Sequence, residues 1–366
     1  MTGVSREGVP GVGVPQVAPP QQPPPQQPPP QQPQQHQQCV VVARVPVGVP
    51  QPEDFHVEST SIPAVLDGEL LVRTIDLSLD PYLRSVMAGR HMGHAAPAIG
   101  HVMPGRATAQ VVVSNDPAFD VGAYVLAETG WREYASVAAS SVRRLNHTDV
   151  PLSAALGILG MPGLTAWAGV TQLMSLQPGE TFAVSAPLGP VGSTAGQLAR
   201  RRGCRVVGIA GSDEKCAQAV SHFGFDACVN YREASWEEAL RAAAPDGVHA
   251  YFDNAGGAIL EGVLRALNLR GTIVLCGLIG QYNTGVPYAL PLAPVIGKRA
   301  HLHGLVVYDF EHRQAEYLAE ATPLLRDGML RLLEDRSEGL ASAPAAFSRL
   351  MRGENMGKAI VAVSPA

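Results

Sequence analysis

The chain has 366 residues, of which 46% are hydrophobic and 16% charged, with a formal net charge of −5. That is material for about two domains of roughly 150 residues each, and the interspersed signs leave no basic field for nucleic acid or an anionic membrane. No apolar run reaches the ~20 residues that span a bilayer, and the N-terminus lacks the apolar core of a signal peptide, so a cytoplasmic location is expected.

Residues 1–38 carry the run PPQQPPPQQPPPQQPQQHQQ. Such a segment cannot bury enough apolar surface to offset its ordering entropy, so it is expected to be disordered or locally polyproline II. It reads as an inert extension rather than a partner-binding arm. From Cys39 the texture changes. CVVVARVP, ELLVRTIDLSLDP, ATAQVVVSN, AYVLAET and EYASVAA are short β-rich runs broken by Gly, Pro and Asp, which predicts an all-β region. MPGLTAWAGVTQLM then shows helical spacing.

From Thr181 to about Gly280 strand and helix alternate. Strands are predicted at TFAVSA, RVVGIAG, ACVNY, HAYFDN and GTIVLCG, with helices near 192–202, 213–223, 235–244 and 257–269. Alternation at this spacing predicts βαβ units and a parallel sheet covered on both faces, an α/β fold. The C-terminal AFSRLMRGENMGKAIVAV reads as helix, turn and final strand. That strand is expected to complete the first β region and make the nucleotide fold an insertion. The expected division is a tail (1–38), a β domain (39–157 and 310–366) and a nucleotide-binding domain (158–309).

Between the first strand and helix of the alternating part lies SAPLGPVG, residues 185–192. Its spacing, Ala186, Gly189, Gly192 with Gly196 one turn on, sits where a dinucleotide fingerprint belongs. Gly189 is expected to admit the pyrophosphate to the backbone, and Gly192 and Gly196 to let the helix approach the sheet. Two prolines reduce the supply of amides, but Pro190 falls where the helix opens, a position whose N–H has no intrahelical partner. Donors are expected at Leu188, Gly189, Val191 and Gly192, backed by the helix dipole.

An NAD enzyme places an acid at the end of the second strand. Here that end is Ala210-Gly211-Ser212, followed by Lys215. Small residues leave space and the lysine supplies charge for a 2′-phosphate, so NADP(H) is the expected cofactor. Asp213 and Glu214 read as helix N-terminal charges. The five cysteines, at 39, 204, 216, 228 and 276, are scattered and odd in number, and read as reduced thiols. His301 and His303 read as strand residues, and no zinc is expected.

These stretches resemble the zinc-free medium-chain dehydrogenase/reductases, specifically the NADP-dependent alkenal double-bond reductase, prostaglandin reductase and leukotriene B4 12-hydroxydehydrogenase group. The resemblance is carried by LSLDPYLR (77–84), MPGLTAWAG (161–169), GPVGSTAGQLAR (189–200), VVGIAGSDEK (206–215), FGFDACVNYR (223–232), YFDNAGG (251–257), CGLIGQYN (276–283) and RGENMGKAIV (352–361). It implies a GroES-like β domain, a Rossmann domain, a homodimer, and transfer of hydride from NADPH to the β-carbon of an α,β-unsaturated carbonyl. By resemblance the cofactor lies on Gly189, Pro190, Val191, Gly192, Gly211, Ser212, Lys215, Tyr231, Asn254, Cys276, Tyr282 and Asn355. Tyr282 is the leading donor to the substrate oxygen, because it follows the strand-end CGLIG where ligands of such sheets bind; Tyr82 lines the substrate mouth and is the second candidate. Pro187, Leu188 and Arg106 depart from the family pattern, and AGRHMGHAAPAIGH (88–101) has no counterpart in it, so this stretch is expected to shape the substrate pocket. Two other readings stand beside this one: a quinone reductase using the same cofactor site, and an NADPH-binding protein without turnover.

Overall fold

The structure is a computed structural model that describes residues 1–3, 36–92, 95–145, 149–284 and 286–366. The expectation of a disordered tail falls on residues 4–35, which lie outside the described residues. Its last three residues are described and are not tail. Strand β1 (His36–Val42) pairs antiparallel with β2 (Phe55–Ser61) along its whole length. The signal missed in the glutamine run is Gln37, a buried side chain whose Oε1 accepts the Tyr134 amide at 2.8 Å.

The β region continues through β3 (Glu69–Ser78), helix α1 (Leu83–Met87), β4 (Arg106–Ser114), β5 (Tyr124–Glu128), β6 (Tyr134–Ala138) and β7 (Arg143–Arg144). Helix α2 (Met161–Ala168) then leads into the alternating part: β8 (Thr181–Ser185), α3 (Pro190–Arg201), β9 (Arg205–Ala210), α4 (Asp213–Ser221), β10 (Ala227–Asn230), α5 (Trp236–Ala243), β11 (Val248–Asp253), α6 (Gly257–Ala266), β12 (Leu267–Leu275), α7 (Ile279–Tyr282), α8 (Leu292–Lys298) and β13 (His301–Gly304). Helix α9 (Gln314–Arg326), β14 (Glu334–Glu338), α10 (Ala343–Met351) and β15 (Lys358–Ala362) complete the chain.

Strands β8 to β13 form one parallel sheet in the order β10-β9-β8-β11-β12-β13. All five residues of β8 are buried, as a strand covered by helices on both faces requires. The second sheet runs β14-β15-β3-β4-β5-β7, with β6 also on β3. Its member β15 pairs antiparallel with β3, Ile360 opposite Ser78. The last strand therefore does return to the first β region, and the parallel sheet is inserted between its parts.

The boundary expected at 310 falls ahead of helix α9. Helix α9 packs Tyr317 and Ala321 into the core that also holds Trp167, Phe182 and Phe252, and the Trp167 indole donates to Glu320 at 2.8 Å. The strand that rejoins the β sheet begins only at Glu334. On the β side the core is organised by buried Trp131, stacked on Phe55 with ring centroids 5.4 Å apart and edge-on to Phe347 at 5.7 Å. That trio joins the chain's first hairpin to its last helix.

Candidate active site

The strand order reverses direction between β8 and β11, and ligands of open parallel sheets bind at the carboxyl ends of strands at such a point. The two strand ends are locked together there. The Ser185 hydroxyl donates to Asp253 at 3.2 Å, and the Asn254 amide and side chain bond Ser185 Oγ and O at 2.8 and 2.9 Å. Asp253 also accepts from the Tyr251 phenol and from the amides of Ala255 and Gly256. Burial raises the pKa of its carboxyl, and those donors oppose the shift. This network was not read from the sequence. Its signal was the polar run YFDN at the end of a buried strand. Asn254, expected on the cofactor, donates its side-chain amide to the strand-end Ser185 carbonyl.

The glycine turn leaves β8 through Ala186, whose φ of +52° is left-handed, and α3 opens with Gly189 as N-cap and Pro190 at the first helical position. A Cβ on Gly192 would lie 2.3 Å from the Ala186 carbonyl oxygen, and one on Gly196 2.1 Å from the Phe225 ring. Only glycine allows α3 to seat this closely on the strands. The expected donors need one correction: the Gly189 amide is used inside the turn, on Ala186 O at 3.1 Å. The amides of Leu188, Val191 and Gly192 have no backbone acceptor among the described residues. With the positive end of α3 behind them they fit a pyrophosphate. The two departures in this loop are structural. Leu188 is buried in the core, and Pro187 covers the space above Gly208 on β9.

At the tip of β9 the structure gathers Gly211, Ser212, Lys215 and Tyr231. The Ser212 hydroxyl caps α4 by accepting the Lys215 amide at 3.3 Å, and a Cβ on Gly211 would meet the Tyr231 phenol oxygen at 3.2 Å. The Lys215 ammonium donates to the Gly353 carbonyl, which brings the RGENMGK loop to the same spot. Burial lowers the Lys215 pKa, and the Arg232 charge lowers it further. Arg232 is the residue the sequence reading passed over here, although it sits in the quoted NYR. A hydroxyl with two mutually repelling cations is a donor set that fits a 2′-phosphate dianion.

Tyr282 closes α7 on the loop leaving β12. Its phenol oxygen accepts a long bond, 3.4 Å, from the Leu278 amide. Tyr82, in the turn before α1, and Tyr282 both pack against the apolar cluster that contains Leu79, Leu83, Met87 and Met351. Burial raises both phenols' pKa values, so both keep their protons at neutral pH. Burial, then the charge of Asp253, pushes the Cys276 thiol up to about 12, so it stays protonated as well. Asn355 turns its amide to Gly357 O at 2.7 Å, within its own loop. Arg90 and His91 of the unmatched stretch reach this mouth: the His91 ring lies 4.8 Å from that of Tyr82 and its Nε2 3.3 Å from the Tyr308 hydroxyl, while Arg90 donates to Tyr282 O at 3.4 Å.

The turn that carries Tyr82 is held by a buried ion pair absent from the sequence reading. Lys358 Nζ donates to Asp80 Oδ1 at 2.8 Å and to Leu79 O at 2.7 Å, and Lys358 is 4% exposed. Among the described residues no group of three or more His, Cys, Asp or Glu is placed to hold a metal ion.

Residues 38–145 match a family described as the N-terminal domain of oxidoreductase, and residues 190–324 one described as zinc-binding dehydrogenase. The chain is 37% identical over 338 residues to the NADPH-dependent curcumin reductase of Escherichia coli (strain K12), with 90% of this chain and 98% of that protein covered. It is 39% identical over 334 residues to the 2-alkenal reductase (NADP(+)-dependent) of Nicotiana tabacum, covering 89% and 97%. Among solved structures, CurA from Vibrio vulnificus in complex with NADPH superposes with a TM-score of 0.85 at 38% identity, over 90% of this chain and all of that one, its coverage being 100%.

Proposed function

The chain belongs to the zinc-free medium-chain dehydrogenase/reductases of the alkenal reductase type, and from that premise we propose that it reduces the C=C bond of α,β-unsaturated aldehydes and ketones with NADPH. The observation that carries this reading is the placement of Tyr282, on the loop leaving β12, against the same apolar cluster as Tyr82. When bound, NADPH supplies the hydride accepted at the substrate's β-carbon, and negative charge grows on the carbonyl oxygen as an enolate. The chain's task is to hold both partners and to aim a donor at that oxygen. We assign the donor to the Tyr282 phenol, which stays protonated at neutral pH and whose oxygen, among the described residues, accepts one long bond from Leu278 N, leaving its O–H to donate to the substrate oxygen. Tyr82 and His91 wall the mouth. The α3 amides hold the pyrophosphate, and Ser212, Lys215 and Arg232 the 2′-phosphate.

Lys215→Ala removes one charged donor from that last set. NADPH affinity is expected to fall by about 1.5–3 kcal/mol, the worth of a hydrogen bond between charged groups, with NADH binding nearly unchanged. Titration of both nucleotides checks this, and a wild type that prefers NADH contradicts it. The reaction itself is tested by NADPH consumption on an enone and on a quinone. Faster turnover of the enone supports the proposal, quinone-only turnover moves the chain to the quinone reductase reading, and no turnover with either leaves a binding protein.

The described residues contain no helix long and apolar enough to cross a membrane. Their five free cysteines support a reducing compartment such as the cytoplasm. We further assign a homodimer joined through β13. Among the described residues that strand pairs only with β12, and Leu292 and Ile296 of the nearby α8 are exposed, an edge of the kind that invites pairing. A monomeric mass by light scattering at assay concentration would contradict it.

A further inference from the structure

The five cysteines are scattered in sequence, but the fold brings two of them together. Cys228 of β10 stands in register with Gly208 of β9. A Cβ on Gly208 would lie 2.9 Å from Cys228 Sγ and 3.1 Å from Pro187 Cβ. The missing side chain makes the room in which that sulfur lies, under the first proline of the glycine turn. Cys216 belongs to the first turn of α4, the helix that packs on β9 and β10. The Cys216 and Cys228 thiols are hydrogen-bonded to each other, and the Ala210 amide at the end of β9 faces both sulfurs.

Both members of the pair are half-buried, whereas Cys39 and Cys204 are buried. Burial pushes the Cys204 and Cys276 thiols up, to about 11 and about 12. Cys216 moves the other way: the hydrogen bond from Cys228 lowers its pKa, and the same bond, then burial, raises that of Cys228. A thiol relieved of its proton by a neighbour, at the positive end of a helix, is the arrangement that makes one cysteine the nucleophile and the other the resolving partner. The pair also lies at the foot of the 2′-phosphate donors. Cys216 follows Lys215 in the chain, and its amide donates to the Ser212 carbonyl at 3.0 Å, while Ser212 Oγ accepts the Lys215 amide.

We propose that Cys216 and Cys228 are an oxidisable dithiol site, and that their disulfide lowers the affinity for NADPH by drawing the Ser212–Lys215 turn toward β10. This rests on the assignment of the 2′-phosphate to that turn. A disulfide holds its sulfurs about 2 Å apart, well inside the reach of a thiol hydrogen bond, so the start of α4 must follow its cysteine. With hydrogen peroxide as oxidant, the Cys216 thiolate attacks one peroxide oxygen. The O–O bond breaks, an S–O bond forms, and the departing hydroxide takes up a proton. Cys228 then loses its proton and attacks the Cys216 sulfur; the S–O bond breaks, the S–S bond forms and a second water leaves. The two sulfurs give up two electrons and the peroxide is reduced to water. Exchange with a small thiol reverses the change. Transient disulfides of this kind are the ones compatible with a reducing compartment.

The test treats the full chain with hydrogen peroxide, then with or without dithiothreitol, in wild type and Cys216→Ser. Peptide mass mapping without reduction should find Cys216 and Cys228 cross-linked in the wild type. Titration of the oxidised wild type should show the NADPH Kd raised by about 10- to 100-fold, the range for one charged hydrogen bond lost, with the NADH Kd nearly unchanged and full recovery in dithiothreitol. Cys216→Ser should bind NADPH about as tightly as reduced wild type and keep that affinity after peroxide. A wild-type map without the cross-link overturns the proposal, as does a cross-linked chain of unchanged NADPH affinity. Peroxide-dependent loss of NADPH affinity in Cys216→Ser would place the effect at another thiol and overturn it too. If reduced wild type binds NADH as tightly as NADPH, the 2′-phosphate reading has failed and the proposal falls with it.

Discussion

Tyr282→Phe should reduce an enone about 10²-fold more slowly than wild type, at the lower end of the loss expected when one donor to a developing oxyanion is removed. The substitution deletes a hydroxyl and little volume. The ring keeps its packing against the cluster of Leu79, Leu83 and Met351, so the loop should not move. The bond lost in the resting protein is only the 3.4 Å contact from Leu278 N, which contributes little to stability. The loss should therefore appear in kcat, with KM and NADPH affinity close to wild type, as for an interaction made mainly in the transition state. Single-turnover measurement with C4-deuterated NADPH keeps slow product release from hiding the effect. A wild-type rate for Tyr282→Phe would reduce the residue to a pocket wall and move the donor role to Tyr82.

The second large effect concerns stability. Lys358→Met removes the ammonium from the buried Asp80 carboxylate and leaves the Ser78 hydroxyl as its side-chain hydrogen-bond partner among the described residues. Removing one member of a buried pair typically costs 3–5 kcal/mol, because the remaining charge is uncompensated. Asp80→Asn with Lys358→Met together should recover most of that, since the double change leaves no orphan charge. Urea unfolding of the single and double variants completes the cycle. The Asp80 turn carries Tyr82, so the single variant should also lose enone turnover more than NADPH affinity. A cost below about 1 kcal/mol, the range of exposed pairs, would mean that the pair is solvated.

Much of the architecture was legible in local pattern. Short β-rich runs followed by strand–helix alternation pointed to both sheets, and AFSRLM…KAIVAV to the returning strand. Gly192 and Gly196 were readable because helix-to-strand contact at that spacing has only one steric solution. What escaped was long-range. Lys358 and Asp80 lie 278 residues apart, and neither has a neighbour in sequence that betrays its partner. Gln37 reads as low complexity until the Tyr134 amide is placed against it. Pro187 and Leu188 look like flaws in a phosphate loop because sequence spacing does not show that one covers Gly208 and the other fills the core. Gly189 was credited with a free amide that the tight turn consumes. The position of α9 depended on Tyr317 meeting Trp167 across the inserted domain, a contact no window of sequence contains.

The central claim is delivery of hydride to the β-carbon. It is tested by incubating the chain with an enone and NADPH deuterated at the transferred C4 position, then locating deuterium in the product by NMR. The account predicts one deuterium at the β-carbon, a solvent-derived proton at the α-carbon and an intact carbonyl. Deuterium at the carbonyl carbon, with the alkene retained, would identify a carbonyl reductase and contradict it.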